Sequence, residues 1–410
     1  MDSNSRTFNI VWAGQTLSIL GDTFAFVAVP LLVLQATGSI AQMGLITGIF
    51  GIGQLAAGLV AGLLVDRWDR RWLLIGCDCG RALLYGAIPL LWGHIGPQIA
   101  LLYLVAGLGG FLGNTFQIGL AALLPNLVDR TQLTAANSRL QISIGVAFLL
   151  GPLLAGLVSQ GLGGPAIAIG VDALSFLASV LSLWVIRLPI DPLDPREPQP
   201  GTAPADLLAG VRFLIQAPQL RVVSLFLAAS LFLTAPVPDL FIYRLKHDLG
   251  AGDSGVGLVL GFAALGAIGA GVVAAGVRRR WGFGIACWGG GGLIGAALAP
   301  IGFQTTLPAI AGLALVAFFG STLRDTVALA FRQEVTPDAL LGRLTAAAST
   351  LNLVLGSLGA AVLTGISAYI GTPLTLLIIG GGLLLLALGF GTPLGLRQIG
   401  HQEQDPAQAG

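Results

Sequence analysis

Long apolar runs, separated by short breaks of Gly, Pro and charge, fill almost the whole chain. A membrane-spanning helix needs about 20 mostly apolar residues. Breaking the sequence at its Gly/Pro and charge clusters predicts twelve such helices. They cover residues 8–34, 43–65, 72–93, 99–120, 137–160, 166–187, 221–244, 254–277, 283–303, 307–331, 343–369 and 374–396. One stretch departs from this rhythm. Residues 188–204 hold Pro189, Pro192, Pro195, Pro198, Pro200 and Pro204 among Asp191, Asp194, Arg196 and Glu197, the composition of an extended polar linker. Beyond it, Leu207, Leu208, Val211, Leu214 and Ile215 recur at helical spacing and predict a short amphipathic helix lying on the membrane surface.

The linker divides the spans six and six. The expected organisation is a six-helix half over residues 1–188, a linker with its amphipathic helix over 189–220, a second half over 221–396 and a polar tail over 397–410. An internal repeat agrees with this division. Leu133-Thr-Ala-Ala-Asn137-Ser-Arg139-Leu140 opens the fifth helix, and Leu344-Thr-Ala-Ala-Ala348-Ser-Thr350-Leu351 opens the eleventh. Each match leads into the fifth helix of its half, as duplicated halves require.

Charge fixes the orientation. With the N-terminus in the cytoplasm, Arg81 and Arg324 stay within spans, and every other Arg and Lys lies in an inside segment or at its edge except Arg244 and Lys246. Such a positive-inside bias would be scrambled by one span more or fewer. Both termini are therefore expected in the cytoplasm of a multi-pass cell-membrane protein. The composition agrees: 55% of the 410 residues are hydrophobic, only 10% are charged and the mean hydropathy is +0.87, where soluble domains carry about 25% charged residues. A net charge of +1 gives no basic field for nucleic acid. Cys77, Cys79 and Cys287 lie in apolar runs with no His set beside them, so no metal site is expected. Met1 to Arg6 is short and polar and leads straight into a full span, which argues against a cleaved signal.

Several motifs carry a resemblance. Gly62-Leu-Leu-Val-Asp66-Arg67-Trp-Asp69-Arg70-Arg71, between helices 2 and 3, resembles the G-x-L-x-D-R-x-x-R-[RK] loop of the major facilitator superfamily. Helix 5 carries Gly145-Val-Ala-Phe-Leu-Leu-Gly151-Pro152-Leu-Leu-Ala155-Gly156, similar to the G-P-x-x-G-G motif of that family's exporters, with Ala155 in place of one Gly. Gly14-Gln15 and Leu20-Gly21-Asp22 in helix 1, with Asp78-x-x-Arg81-Ala82 in helix 3, look like the macrolide-efflux and enterobactin-exporter branch. Ala135-Ala136-Asn137-Ser138 and Ala173-Leu174-Ser175-Phe176 do too. The likeness runs in order from helix 1 to helix 12. It implies two pseudo-symmetric six-helix halves, alternating access, efflux and a cytoplasmic latch at the loop after helix 2. Two departures stand out. Helix 4 lacks the mid-span Arg that drug–proton antiporters of the family often carry. The second-half counterpart of the loop, Val277-Arg278-Arg279-Arg280-Trp281-Gly282, keeps the positive charge but has no acid.

Charges inside spans are costly and usually functional. Asp22 falls near mid-membrane, and an acid there that faces a cavity and takes up a proton is the minimum part for proton coupling. Asp78 and Arg81, three apart, share a helix face and can pair. Their expected place is near the cytoplasmic end of helix 3, supporting a gate made of Gly62, Asp66, Arg67, Arg70 and Arg71. Arg324 and Asp325 are neighbours that point about 100° apart, so they are expected to need different partners. Asp172 and Asp239 are expected nearer the outside end. Candidate cavity residues are Phe24, Phe26, Phe50, Asn114, Gln117, Phe232, Phe262, Phe318 and Asn352. Aromatics with a few amides suit an amphipathic ligand.

The expected function is secondary active efflux of an amphipathic or hydrophobic small molecule of drug, macrolide or siderophore type. A proton gradient drives it, no cofactor is needed, and the protein acts as a monomer. A lipid or small-solute importer of the same fold is the alternative. A membrane enzyme or sensor is the remote one, since His94, His247 and His401 lie outside the spans and no nucleophile set converges.

Overall fold

The computed structural model describes residues 3–128, 132–186 and 212–391. Residues 212–216 form a helical turn. The rest of the predicted amphipathic helix, the Pro-rich linker and the tail lie outside the described residues.

All regular structure among the described residues is helical. The first six helices are α1 (Ser3–Thr37), α2 (Ile40–Arg67), α3 (Arg70–Ile95), α4 (Ile99–Leu127), α5 (Leu133–Gly161) and α6 (Pro165–Val185). They match the first six predicted spans, extended by a few residues at most ends. The predicted seventh span is two pieces, α7 (Pro218–Thr234) and α8 (Val237–Tyr243). Pro236 and Pro238 bring no backbone N–H, so the helical ladder is interrupted at Ala235 and Pro236. A π-helical turn, Arg244–Asp248, then continues α8. The remaining helices are α9 (Asp253–Ile301), α10 (Leu307–Val335), α11 (Asp338–Ile370) and α12 (Thr372–Phe390).

Eleven helical stretches are long and apolar enough to cross a membrane. One of them, α9, has 49 residues, about 74 Å at 1.5 Å per residue, more than twice the hydrocarbon thickness. It is broken at Gly282, whose φ of 79° and ψ of 169° are not helical. Packing identifies it as two spans folded back on each other. Gly266 lies against Leu315 and Phe319 of α10, and Gly290 lies against Gly320 and Arg324. A straight helix would hold those two glycines about 36 Å apart. The predicted eighth and ninth spans are thus both present, which brings the spans among the described residues to twelve.

The chain folds as two compact units. Unit 1 comprises Met1–Gln199 with Phe241–Gly261, and unit 2 comprises Pro200–Leu240 with Phe262–Gly410. One segment crosses the expected division: Phe241–Gly261 belongs to the second half by sequence and packs with the first. In unit 1, α1 packs on α5 and α6, α2 on α4, and α3 on α4 and α6. Lipid supplies no hydrophobic drive between helices, so small residues and polar bridges hold them. Gly14 faces Ser182, and Gly21 faces Ser175 and Asp172, so α1 and α6 run antiparallel. Between these contacts Gln15 Nε2 donates to Ser179 Oγ at 2.7 Å. In unit 2 the core is aromatic, with Phe226 edge-on to Trp288 at 4.5 Å and Phe283 against Phe331 at 4.4 Å.

The α2–α4 contact is a close backbone approach held open by glycines. A Cβ on Gly110 would fall on the Phe50 carbonyl, and one on Gly53 would fall on that of Gly107. Gly110→Leu is therefore expected to destabilise the protein by about 1–3 kcal/mol through overpacking. Thermal unfolding in detergent would read this as a lowered midpoint. Gly145→Ala, whose Cβ would meet nothing within 4 Å, should not lower the midpoint.

Candidate functional site

The antiparallel contact of α1 with α6, and of both with α3, brings four charged residues together in the middle of unit 1. Arg81 is the twelfth of 26 residues in α3, so it stands at mid-span. Its Nη1 donates to Asp22 Oδ1 at 3.2 Å, and its Nη2 pairs with Asp78 Oδ1 one helical turn away. The guanidinium carbon lies 4.2 Å from the Phe176 ring centroid and 5.0 Å from that of Phe116. Cations held this close to aromatic faces are attracted to the ring quadrupole. Asp172, on α6, is close enough to act electrostatically on Arg81. Its Oδ1 accepts from Ser175 Oγ at 3.2 Å, and its Oδ2 is buried without a hydrogen-bond partner.

Three carboxyl groups thus share one guanidinium. Asp78, Asp172 and Arg81 are buried, while 41% of the Asp22 side chain is open. This corrects one expectation: Asp78 and Arg81 form the predicted pair, but Arg81 reaches Asp22 at mid-span rather than bracing the loop after helix 2. Asp172 lies nearer the Pro165 end of α6, the end expected outside, and it is buried. Gly21 lets α1 close over it, which buries it beside Asp22. The mid-span Arg that α4 lacks is matched by Arg81 of α3, which lies against Phe116 and near Gly113 of α4.

The loop after α2 is built from its second acid. Asp69 caps α3, its Oδ1 accepting from the Trp72 amide at 3.0 Å. The side chain of Asp66 lies outside the described residues. Arg70 Nη1 donates to the Ala122 carbonyl at 3.0 Å. Arg71 donates to the carbonyls of Leu183 at 2.7 Å and Trp184 at 2.6 Å. The two α6 carbonyls belong to its last turn, where carbonyls lack intrahelical partners and the helix dipole favours a cation. Arg67 is exposed and Gly62 half-buried. In unit 2 the acid missing from the Arg278–Arg280 run comes from another helix. Glu334 of α10 accepts both Arg278 Nη1 at 2.8 Å and Nη2 at 2.5 Å.

The helix-5 motif joins the cluster to the opposite end of unit 1. Gly151 lets α5 approach Thr23, the neighbour of Asp22. Gly156 abuts the Asp253 carbonyl, and the Pro152 carbonyl abuts Gly257. Asp253 then bridges Lys246 of the π-turn and Ser159 of α5 through its two carboxylate oxygens. Gln160 Oε1 accepts from the Ser254 amide at 3.0 Å. Gly145 has open space around it and takes no part in this packing.

Sequence reasoning missed Asp253, Lys246 and Ser159. It started helix 8 one residue after Asp253, so the acid counted as loop. It also missed Phe116 and Phe176, for which an aromatic at a helix face gave no signal without the Arg across from it.

Other predicted residues fall elsewhere. Arg324 Nε donates to Asp325 Oδ1 at 2.9 Å. The expectation of separate partners is therefore corrected: the long guanidinium arm swings round the helix to its neighbour. Arg324 is buried, and Asp325 is exposed. Asp239 is buried in the first turn of α8. Phe24 is buried in unit 1 rather than lining open space. Asn114 Nδ2 donates to the Gln54 carbonyl at 2.7 Å, a bridge between α4 and α2. Phe26 is exposed and edge-on to Phe148. Gln117 and Phe262 are exposed, and Phe50, Phe318 and Asn352 are half-buried. Phe232 lines an apolar cavity of about 790 Å³ in unit 2 with Leu225, Leu233 and Leu355.

Twelve apolar helical spans around buried ion pairs define a polytopic membrane transporter. The profile of the Major Facilitator Superfamily matches residues 11–360, and the chain belongs to that family of secondary transporters. Enterobactin exporter EntS of Salmonella typhimurium is 30% identical over 405 residues, covering 93% of this chain and 92% of that protein. Its counterpart in Escherichia coli O6:K15:H31 is 29% identical over 399 residues, with 93% and 90% covered. The crystal structure of nucleoside transporter NupG superposes with a TM-score of 0.74 at 13% identity, covering 96% of this chain and 99% of that one. A bacterial homologue of the iron transporter ferroportin, in its inward-facing state, gives 0.69 at 19% identity, with 94% and 100% covered. At these identities the structures speak to the fold alone.

Proposed function

We propose that this transporter exports an amphipathic or hydrophobic small molecule across the cell membrane in exchange for protons, with both termini in the cytoplasm. The observation that carries the reading is the cluster of three carboxyl groups around Arg81, with Asp22 its open member. If all were ionised, the cluster would hold two more negative than positive charges. Uncompensated buried ions cost on the order of several kcal/mol each, and a bound proton relieves this. Asp172 Oδ2 has no partner, so a proton there breaks no hydrogen bond. Asp22 is the exchange point, because its carboxylate is both open and tied to Arg81. Proton arrival loosens that tie, and loss of the proton restores it. The gate is formed on one side by the Asp69–Arg70–Arg71 loop with Asp66, and on the other by the α5 motif with its Asp253 bridge.

The export direction and the substrate class draw support from the full-length relatives, which are enterobactin exporters. The apolar character of the unit 2 cavity agrees with a greasy ligand. Everted vesicles containing the purified protein, loaded with acid inside, test the reading against a panel of dyes, macrolides and siderophores. At least one of these should accumulate inside, and a protonophore should stop it. Accumulation that ignores the gradient, or that needs the opposite gradient, would sink proton-driven export and favour an importer.

A further inference from the structure

Away from the carboxyl cluster, unit 2 carries a recess of about 610 Å³ beside the turn at Gly282. Small residues, Ala275 and Ala330 among them, leave it open, and Arg278, Arg279 and Thr326 line it. Arg278 is held and neutralised by its two hydrogen bonds to Glu334. Arg279 and Arg280 are exposed, so the net charge at the recess is positive.

The surface leading away from Arg279 is apolar. Ile268, Val272, Ala275 and Arg279 follow one another at helical spacing on one face of α9. Val272 is 80% exposed and Ile268 is also exposed. The stripe from Arg279 to Val272 runs about 10 Å along the helix. Trp281, next to the recess, is exposed, and exposed Trp in membrane proteins concentrates at headgroup depth. A cation at one end of the recess, a hydroxyl further along it and a greasy stripe running from the cation match the two chemistries of one phospholipid.

We propose that this recess binds an anionic phospholipid of the leaflet that meets the Gly282 turn, the cytoplasmic leaflet on the positive-inside reading. The phosphate sits on Arg279 with the Thr326 hydroxyl as a second donor, Arg280 adds to the attraction, and an acyl chain lies along Val272 and Ile268. A free phosphate ion would use the arginine but gain nothing from the stripe. The site is separate from the transport cluster.

Quenching of tryptophan fluorescence by brominated lipids tests this in reconstituted protein. The Trp281 signal is taken as the difference between wild type and Trp281→Phe. Brominated phosphatidylglycerol should quench it at lower mole fraction than brominated phosphatidylcholine. Arg279→Gln should weaken the preference about fivefold, the effect of one arginine near an anionic surface. The double variant with Arg280→Gln should weaken it further, and Arg279→Lys should largely keep it. Equal quenching by the two lipids, or a preference unchanged in the double variant, would overturn the proposal. So would complete displacement by inorganic phosphate, which would mark a site for the bare anion.

Discussion

Asp22→Asn is expected to reduce proton-driven transport at least about a hundredfold, the scale of losing a proton-transfer group, while the protein stays folded. Asn keeps the shape of Asp and an oxygen that can accept from Arg81 Nη1, now at 3.2 Å from Asp22. It cannot take up or release a proton. The buried Asp78–Arg81 pair survives the change, so the fold keeps its central tie. Vesicle uptake under an imposed pH gradient should fall to background, while exchange of labelled for unlabelled substrate without a gradient persists. A thermal midpoint close to wild type would separate this from misfolding. Wild-type gradient-driven uptake in the variant would remove Asp22 as the exchange point. The same assay on Asp172→Asn would then show whether the buried carboxyl serves instead.

Much of this cluster was legible in the sequence. Asp22, Asp78, Arg81 and Asp172 each stood out as a charge inside an apolar run, and the three-residue spacing of Asp78 and Arg81 announced their pair. Which helices met was not legible. Helix spacing fixes the face on which Asp172 lies, but only the glycines of α1 against the serines of α6 decide that this face closes on Asp22. The role of Arg81 was misjudged for another reason. The predicted span 72–93 already held Arg81 near its centre, and α3, which starts at Arg70, keeps it at mid-span; the expectation that it braces the loop after helix 2 followed the motif beside it rather than the depth. The acid missing after helix 8 was not legible either: Glu334 is distant in sequence and lies across the α9–α10 contact. The twelve spans themselves were readable, because a hydrocarbon slab imposes one length on every crossing. The break in the seventh was announced by Pro236 and Pro238, yet apolar content outweighed them in the reading.

The second large effect is expected at Arg81, and it bears on stability. The guanidinium pairs with Asp22 and Asp78 and acts electrostatically on Asp172, and it is wedged between Phe116 and Phe176. Arg81→Met fills similar space but leaves those carboxyl groups without a counter-charge. Removing one partner of a buried pair typically costs about 3–5 kcal/mol, so the variant should unfold at a much lower temperature or fail to accumulate in the membrane. Arg81→Lys keeps the charge, but it loses the fork that reaches Asp22 and Asp78 together and the flat contact with the two rings. Its stability should fall between Met and wild type. The deciding comparison is Asp78→Asn combined with Arg81→Met. If uncompensated charge is the cause, the double variant recovers part of the lost stability while remaining inactive in transport, since Asp22 and Asp172 still lack their counter-charge. If lost packing against Phe116 and Phe176 is the cause, it recovers none. A melting midpoint for Arg81→Met equal to wild type would mean that the guanidinium does not hold the cluster together, and the coupling scheme built on its partners would go with it.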